Sequence, residues 1–182
     1  MSKVLVVSGH RDLENSFANK KIIEFLKENL TEAKFEYLHE YLNKDFDIEE
    51  QQNKLAESDI IVLQFPIFWY AMPSIMQKWF EDVFVYGFAY GSAGHKLKGK
   101  KLVVSLTTGG SDETYTLGAE QGYPIEVFLF SIQRIAAKCG LEWSGFFHTG
   151  GINPFVEGKK LAELNEKIKS HSEKLLEKIK SL

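Results

Sequence analysis

The sequence has few of the features that mark specialised classes of protein. Its 182 residues include one cysteine, Cys139, and four prolines. One cysteine can form neither an intramolecular disulfide nor a thiolate metal site, so we expect a buried apolar thiol in a reducing compartment. No apolar run approaches the roughly 18 residues of a membrane span, and the run at residues 4–7 is too short for a signal-peptide core. We therefore expect a cytoplasmic protein with no metal site and no membrane insertion.

The charges are nearly balanced. Lys and Arg total 22 against 25 Asp and Glu, which gives a net charge of −3, and 44% of the residues are hydrophobic. This composition is typical of globular proteins and excludes disordered, collagen-like and coiled-coil chains. It lacks the basic excess that a nucleic-acid partner requires. At about 150 residues per domain, the length predicts a single domain over residues 1–182.

Five apolar runs predict the strands of a parallel sheet that is buried on both faces. The predicted strands are residues 4–8, 35–39, 60–65, 102–107 and 142–147. Helices are predicted after a cap at Asn15 or Ser16, from Pro73, over about 125–139, and from Lys159 onward. Five strands alternating with about five helices predict an α/β fold, a three-layer, doubly wound, five-stranded parallel sheet.

In such sheets ligands bind beyond the carboxyl ends of the strands, so three loops matter most. The first, residues 9–16, lacks the glycine motifs of dinucleotide-binding and P-loop proteins. It places His10 at a strand exit, and Ser16 and Asn19 at a helix start where free N–H groups favour a phosphate monoester. The alternatives are that Ser16 is a plain helix cap and His10 a structural histidine.

The second loop is aromatic. It contains Pro66, Ile67, Phe68, Trp69 and Tyr70. A turn cannot bury three consecutive aromatic side chains, so at least one of them faces either a flat ring system or a protein partner.

The third loop is glycine-rich, with Thr-Thr-Gly-Gly at residues 107–110. The two glycines allow the backbone to approach a flat ligand and donate N–H groups to it, although a turn explains them equally well. The three loops together indicate a site for flavin mononucleotide (FMN). Residues 86–101 are predicted to be a further loop, and the basic cluster at 95–98 is either a solvated turn or a contact for a pyridine-nucleotide phosphate.

The sequence resembles the flavodoxin-like NAD(P)H:quinone oxidoreductases. It is most similar to their short bacterial members, which include general stress protein 14 and the ancillary flavoproteins of glutathione-gated potassium efflux systems. The matching segments are residues 7–10, 16–19, 66–70, 78–83, 87–91, 97–100, 107–110 and 139–143. Together they span most of residues 3–150, and their order and spacing are specific.

The resemblance implies a homodimer with FMN or FAD at each subunit interface. It assigns cofactor binding to His10, Ser16, Phe17, Ala18, Asn19, Pro66, Ile67, Phe68, Trp69, Tyr70, Thr107, Thr108, Gly109 and Gly110. Tyr115 falls where several members have a tyrosine near the flavin. Gln121 stands where the animal enzymes have a histidine proposed to relay charge, and glutamine cannot take up a proton near neutral pH. Tyr115 and Gln121 are thus the candidate catalytic residues, although Gln121 could be a plain loop residue.

The expected function is two-electron, ping-pong hydride transfer from NAD(P)H through FMN to a quinone-like acceptor. FMN is preferred to FAD because the chain resembles the short members and offers no obvious segment for an adenosine half. A regulatory subunit of a potassium efflux transporter, an azo or nitro reductase, and a one-electron carrier are the alternatives. One-electron carriers are usually strongly acidic, which a net charge of −3 does not match.

Overall fold

A computed structural model describes residues 2–92 and 94–182, and its centre is a parallel sheet. The strands are β1 (Val4–Ser8), β2 (Lys34–Tyr37), β3 (Ile60–Pro66), β4 (Lys101–Thr107) and β5 (Glu142–Thr149). Their spatial order is β2-β1-β3-β4-β5, and every neighbouring pair is parallel. The winding direction therefore reverses between β1 and β3. The predicted α/β, doubly wound, five-stranded sheet is confirmed.

The central strands form because their apolar runs are buried on both faces, as in β3, where all seven residues are buried. In register, Ser8 of β1 pairs with Gln64 of β3, and Pro66 pairs with Thr107 of β4. The loops that leave these three strands therefore start within two register positions of one another.

Helices cover both faces of the sheet. They are α1 (Phe17–Asn29), α2 (Ile48–Glu57), α3 (Ser74–Val83), α4 (Phe130–Cys139) and α5 (Gly158–Ser181). Residues of α2, α3 and α4 pack in one buried cluster, which includes Trp79 and Ile132. Residues of α1 and α5 pack in a second, which includes Ile22 and Leu175. None of the helices in the described ranges is both long and apolar enough to cross a membrane.

Helix α2 lies in a stretch where the sequence predicted no specific helix. Its sequence is mostly polar, and only Gln51 and Leu55 are buried. The helix begins where the Asp47 carboxylate accepts a hydrogen bond from the Glu50 N–H at 3.0 Å. Without an apolar stripe, periodicity gives no helix prediction here.

Three predicted boundaries differ from the structure by two residues or more. The second strand ends at Tyr37, not at residue 39, because a 3₁₀ turn (Leu38–Tyr41) brings Leu38 into the core. The helix predicted over 125–139 begins as a 3₁₀ turn (Ile125–Leu129) before α4. Strand β5 continues two residues beyond its predicted end at residue 147, which brings His148 to the carboxyl edge of the sheet.

The loop predicted over residues 86–101 contains turns and an isolated bridge between Tyr86 and Tyr90 in its described part, which lacks Ala93, and its last residue, Lys101, is the first residue of β4. Its lysines Lys96 and Lys98 are exposed, and the Gly99 N–H donates to the Gly140 carbonyl at 2.8 Å. This basic cluster lies at the amino end of β4, and a seven-residue strand is roughly 23 Å long. The geometry supports the solvated turn, because the three candidate loops lie at the other edge.

Candidate functional site

The three loops predicted to form a site contact one another at the carboxyl edge of the sheet. The first turn of α1, which follows the first loop, is joined to the start of the third loop by the Asn19 side-chain amide, which donates to Thr107 Oγ1 at 3.0 Å. The first and second loops are joined by the rings of His10 and Phe68, whose centroids are 5.9 Å apart. The second and third are joined where the Ile67 N–H donates to the Thr107 carbonyl at 2.9 Å. The sequence-predicted residues therefore share one continuous surface.

Ser16 caps helix α1 and presents a hydrogen-bond donor. Its Oγ accepts hydrogen bonds from the Asn19 backbone N–H at 3.2 Å and from the Asn19 side-chain amide at 3.1 Å. Because these two bonds occupy both lone pairs, the hydroxyl proton is left to donate to another acceptor. The first turn contains no acidic residue, and the N–H groups of Phe17 and Ala18 have no partner within the helix. Together with the helix dipole, these donors favour an anion.

A buried side chain fixes the orientation of Asn19. Gln64 of β3 donates from Nε2 to Asn19 Oδ1 at 2.8 Å, and both residues are buried. The Asn19 amide can therefore donate only towards Ser16 and Thr107. The anion site is held in its donating geometry without a ligand.

Three of the predicted cofactor-binding residues direct their side chains elsewhere. Ala18 is fully buried between α1 and the sheet, and Phe17 packs against the same cluster with Lys21 Nζ 4.0 Å from its ring centroid. Pro66 is buried as the last residue of β3. Phe17 and Ala18 can thus offer backbone N–H groups, and Pro66 only its carbonyl.

His10 is oriented by its own loop. Its Nδ1 accepts a hydrogen bond from the Asp12 N–H at 3.0 Å, so the neutral ring carries its proton on Nε2. Burial lowers the pKa of His10, and the opposing effect of Asp12 is smaller. Near neutral pH the ring is therefore a neutral donor through Nε2.

The second loop forms an aromatic turn, defined as Phe68–Ala71. Phe68 and Ala71 exchange both backbone hydrogen bonds, at 3.0 and 3.1 Å. Between them Trp69 has φ 49° and Tyr70 φ 64°, the left-handed conformation that two-residue turns usually reserve for Asn and Gly. The turn leaves Trp69 94% exposed and Tyr70 53% exposed.

The aromatic turn stores backbone strain. A bulky residue in the left-handed region costs on the order of 1 kcal/mol or more, and such strain tends to occur at ligand-binding sites. Nothing in this conformation increases burial of Trp69, the more exposed ring. Strain with exposure indicates a surface that binds a flat ligand or a partner.

The third loop combines an open and a confined glycine. A Cβ added to Gly109 would meet no atom within 4 Å, whereas one added to Gly110 would lie 3.1 Å from Gln121 Nε2 and 3.3 Å from Tyr115 Cε2. The structure thus brings both candidate catalytic residues beside Gly110. It also links them to the aromatic turn, since the Phe128 ring lies 6.0 Å from Tyr115 and 5.5 Å from Tyr70.

Comparison with known proteins agrees with this architecture. The sequence model of a family described by its flavodoxin-like fold matches residues 2–175. The chain belongs to this flavodoxin-like family. The resemblance found in the sequence is thereby confirmed.

Two relatives and one solved structure illustrate the similarity of this flavodoxin-like chain. The glutathione-regulated potassium-efflux system ancillary protein KefF of Enterobacter sp. (strain 638) is 35% identical over 141 residues, which cover 77% of this chain and 78% of the relative. The uncharacterized NAD(P)H oxidoreductase YrkL of Bacillus subtilis (strain 168) is 30% identical over 179 residues, which cover 98% of both chains. General stress protein 14 of Treponema denticola superposes with a TM-score of 0.86 at 21% identity, covering 97% and 98% of the two chains.

A hydrogen-bonded group that the sequence did not predict lies behind the third loop. His148 of β5 lies with Nε2 2.8 Å from Thr108 Oγ1 and Nδ1 3.3 Å from Asp112 Oδ1. Asp112 also accepts from the Gly150 N–H at 2.6 Å and pairs with Lys167 of α5 at 2.5 Å. These contacts pin the loop to the end of β5.

Gly150 is required for this close approach. A Cβ there would lie 2.5 Å from the Gly110 carbonyl oxygen, which no small movement relieves. One pattern could have predicted the contact: Thr-Gly-Gly occurs both at 108–110 and at 149–151, after neighbouring strands.

A buried polar belt lies between the sheet and helices α1 and α5. We define it as Ser16, Asn19, Gln64, Ser105, Thr107, Thr149 and His171, all of which are buried. His171 joins β4 to β5, with Nε2 2.6 Å from Ser105 Oγ and Nδ1 2.8 Å from Thr149 Oγ1. Burial lowers the pKa of His171 to about 4, so the ring is neutral at neutral pH.

Proposed function

We propose that this chain is a flavin-dependent NAD(P)H oxidoreductase that binds FMN where the three loops meet. One observation carries the proposal. An anion site at Ser16, an exposed aromatic turn and an open glycine edge are joined by direct contacts at the carboxyl edge of the sheet. These are the phosphate, ring-face and ring-edge contacts that a phosphorylated flat ring requires. The name of YrkL as an NAD(P)H oxidoreductase supports the activity, and FMN in the general stress protein 14 structure supports the cofactor.

The residues present fit FMN at each of its parts. Ser16 would donate its free proton to the phosphate, and the N–H groups of Phe17 and Ala18 would add two more donors. Trp69 and Tyr70 would cover a face of the ring. Gly109 leaves open space beside the backbone, where its N–H can reach a polar ring edge.

When bound, FMN would supply the redox chemistry, accepting a hydride from NAD(P)H and passing two electrons to a quinone-like acceptor. The protein's part is to position and to stabilise charge. The Gly109 and Gly110 N–H groups would stabilise negative charge along the ring edge, as preorganised donors do in oxyanion holes. Tyr115 and Gln121 would hold Gly110 in place, and no side chain is needed as a nucleophile. We propose a ping-pong order, because NAD(P)H and the acceptor would use the same aromatic surface in turn.

The decisive experiment identifies the cofactor and then measures turnover. Purified protein, incubated with FMN if it is colourless, is heated, and the released compound is identified by mass and absorbance. Oxidation of NADH and of NADPH is then followed with and without menadione. We expect the released compound to be FMN, and the oxidation of NADH or NADPH to be faster when menadione is present. A protein that takes up no flavin would overturn the proposal.

A second function is supported by the similarity to KefF, which covers 77% of this chain at 35% identity. We propose that the chain also acts as the ancillary subunit of a potassium efflux transporter. Co-purification with such a transporter, and a change in potassium efflux when this chain is deleted, would support it. Normal efflux in the deletion strain would exclude it.

Azo or nitro compounds in place of menadione test the remaining acceptors, and an FMN-dependent azoreductase of Bacillus anthracis shares the fold at a TM-score of 0.67.

We also propose a single-domain homodimer in the cytoplasm. Large apolar side chains are exposed at and beyond the site, namely Trp69, Leu117, Tyr123 and Phe130. Aromatic residues are enriched in protein interfaces, which supports a second copy of the chain on this surface. The single buried thiol, Cys139, suits a reducing compartment. Light scattering at twice the chain mass, and one cooperative unfolding transition, would support the assembly and the domain count.

A further inference from the structure

Two histidines near the carboxyl edge differ in what their partners allow. His171 contacts the hydroxyl groups of Ser105 and Thr149, each of which can donate or accept. A neutral ring, with one donor and one acceptor nitrogen, therefore satisfies both contacts. Protonation would improve neither of them.

His148 faces partners of a different kind. Thr108 Oγ1 lies 2.8 Å from both His148 Nε2 and the Gly110 carbonyl oxygen, but it has one proton to give. On the other side of the ring, Asp112 offers a carboxylate, which only accepts. A neutral His148 therefore leaves one of the three contacts without a proton. Protonated His148 satisfies all three: the charged ring pairs with Asp112 on its Nδ1 side, Nε2–H donates to Thr108, and the Thr108 hydroxyl donates to Gly110.

The net effect of the surroundings is to lower the pKa of His148, so the ring is neutral near neutral pH. Burial lowers the pKa of His148, Asp112 opposes that effect, and Lys167 adds to it. Glu126 of the 3₁₀ turn before α4 raises the pKa slightly. The other titratable groups facing the ring are His171 of α5 and Tyr115, whose ring centroid is 5.3 Å away.

Asp112 is held as a carboxylate. Burial alone raises its pKa, but the Lys167 ammonium and the Gly150 N–H together lower the pKa below its ordinary value. The acceptor on the Nδ1 side therefore remains available throughout the neutral range. Only the ring and its Thr108 contact change with protonation.

The Thr108 contact leads directly to the proposed flavin edge. The Gly110 carbonyl accepts from Thr108 Oγ1 and from the Gly151 N–H, each at 2.8 Å. A proton on His148 commits the Thr108 hydroxyl to Gly110, so it fixes that peptide group. It also places a positive charge two hydrogen bonds from Gly110.

We propose that His148 is a positioning residue that takes up a proton from solvent when negative charge arrives at the Gly109–Gly110 edge. The proposal rests on the proposed function, in which two electrons from NAD(P)H bring that charge to bound FMN. The step moves one proton from water to the imidazole and no electrons, and the proton returns to water when the acceptor removes the charge. His148 would thus supply the charge compensation that Gln121 cannot.

The test measures the protonation of His148 itself by NMR of ¹⁵N-labelled imidazole in the FMN-loaded protein. We expect the proton affinity of His148 to rise at least tenfold when the protein is reduced, with little change for His171 as the internal control. The Asp112→Asn variant removes the carboxylate and should lower the proton affinity of His148 even without flavin. An unchanged His148 titration on reduction would overturn the inference while leaving FMN binding intact.

A second measurement separates charge compensation from a structural role. The His148→Gln variant keeps a hydrogen-bonding group but cannot take up a proton. We expect it to bind oxidised FMN, and to lose the part of the pH dependence of the reduction potential that corresponds to one proton. Wild-type pH dependence in this variant would contradict the inference. A wild-type protein that binds no FMN would overturn the proposed function first, and a colourless sample distinguishes that outcome.

Discussion

The buried polar belt and the aromatic turn lie at the same edge of the sheet, but they are stabilised in opposite ways. In the belt, Asn19 and His171 are buried and their polar atoms are bonded to neighbouring side chains. In the turn, Trp69 and Tyr70 are exposed, and both have a backbone conformation that bulky residues rarely adopt. The belt therefore contributes to stability, whereas the turn reduces it.

The difference between the two regions indicates where a bound ligand can stabilise the protein. The belt already holds the Ser16 hydroxyl ready to donate, so binding an anion there needs no rearrangement. The turn is strained without a ligand, and stacking against Trp69 and Tyr70 can offset that strain. Substitutions in the belt should weaken folding and binding together, while substitutions in the turn should separate the two.

The largest effect is expected in the belt, from Asn19→Leu. The change leaves Gln64 Nε2 without its acceptor and removes the donor to Ser16 and Thr107, so we expect a loss of about 3 kcal/mol in the free energy of unfolding. Urea denaturation measures it. The matched control is Asn15→Leu, because Asn15 is exposed and bonds only to Asp12, and its effect should stay within about 0.5 kcal/mol. A loss below about 1 kcal/mol for Asn19→Leu would contradict the role of the belt.

The belt should also be sensitive to acid because it contains His171, whereas the turn contains no histidine and no carboxylate. The pKa of His171 is about 4 in the folded protein against an ordinary value of 6.5, so the unfolded chain binds the proton first as the pH falls. The contribution of neutral His171 to the free energy of unfolding is complete above pH 6.5. As the pH falls towards 4, the free energy of unfolding decreases by about 3 kcal/mol. Chemical denaturation at several pH values measures it.

Two variants control the pH prediction. His171→Gln should flatten the dependence between pH 4 and 6.5, because glutamine does not titrate. His95→Gln should leave it unchanged, since His95 is exposed. An equally steep loss of stability in His171→Gln would assign the effect to other groups.

Substitutions in the aromatic turn should raise the free energy of unfolding, whereas those in the belt lower it. Replacing Trp69 by Asn and Tyr70 by Gly supplies the residues that a two-residue turn with positive φ prefers, so we expect a gain of about 1–2 kcal/mol in stability. The same double variant should bind FMN at least tenfold more weakly, because both rings are lost. Phe155→Asn is the control, because Phe155 is 90% exposed but its backbone does not have positive φ. This variant should bring no comparable gain in stability. A destabilised double variant would remove the contrast with the belt.

The smallest effect on stability is expected at Gly109. An added Cβ meets no protein atom within 4 Å, so Gly109→Ala should leave the free energy of unfolding within about 0.5 kcal/mol of the wild type. It should nevertheless weaken FMN binding about tenfold, if the ring edge occupies that space. Gly110→Val, by comparison, displaces Tyr115 and Gln121 and should weaken flavin retention with some loss of stability. Full affinity in Gly109→Ala would place the ring elsewhere.

The sequence predicted the features that local pattern encodes. The apolar runs give strands that the structure confirms, because a parallel strand is buried on both faces wherever it lies. The Ser16 cap was also predictable, since capping depends on residues three apart in sequence. The mostly polar helix α2 was not, because its burial depends on a partner: Gln51 accepts from the buried Trp79 indole N–H at 2.8 Å.

The sequence by itself determined which loops share an edge and, to within one residue, where all five strands begin. Only the tertiary structure decided that Trp69 and Tyr70 adopt positive φ, and that His148, Asp112 and Lys167 meet behind Gly110. The physical reason is how far apart in the sequence the interacting residues lie. A strand or a cap follows from neighbours in the chain. The charge network instead joins His148 of β5, Asp112 of a further 3₁₀ turn (Asp112–Thr114) and Lys167 of α5, and only the packed sheet brings these three side chains together.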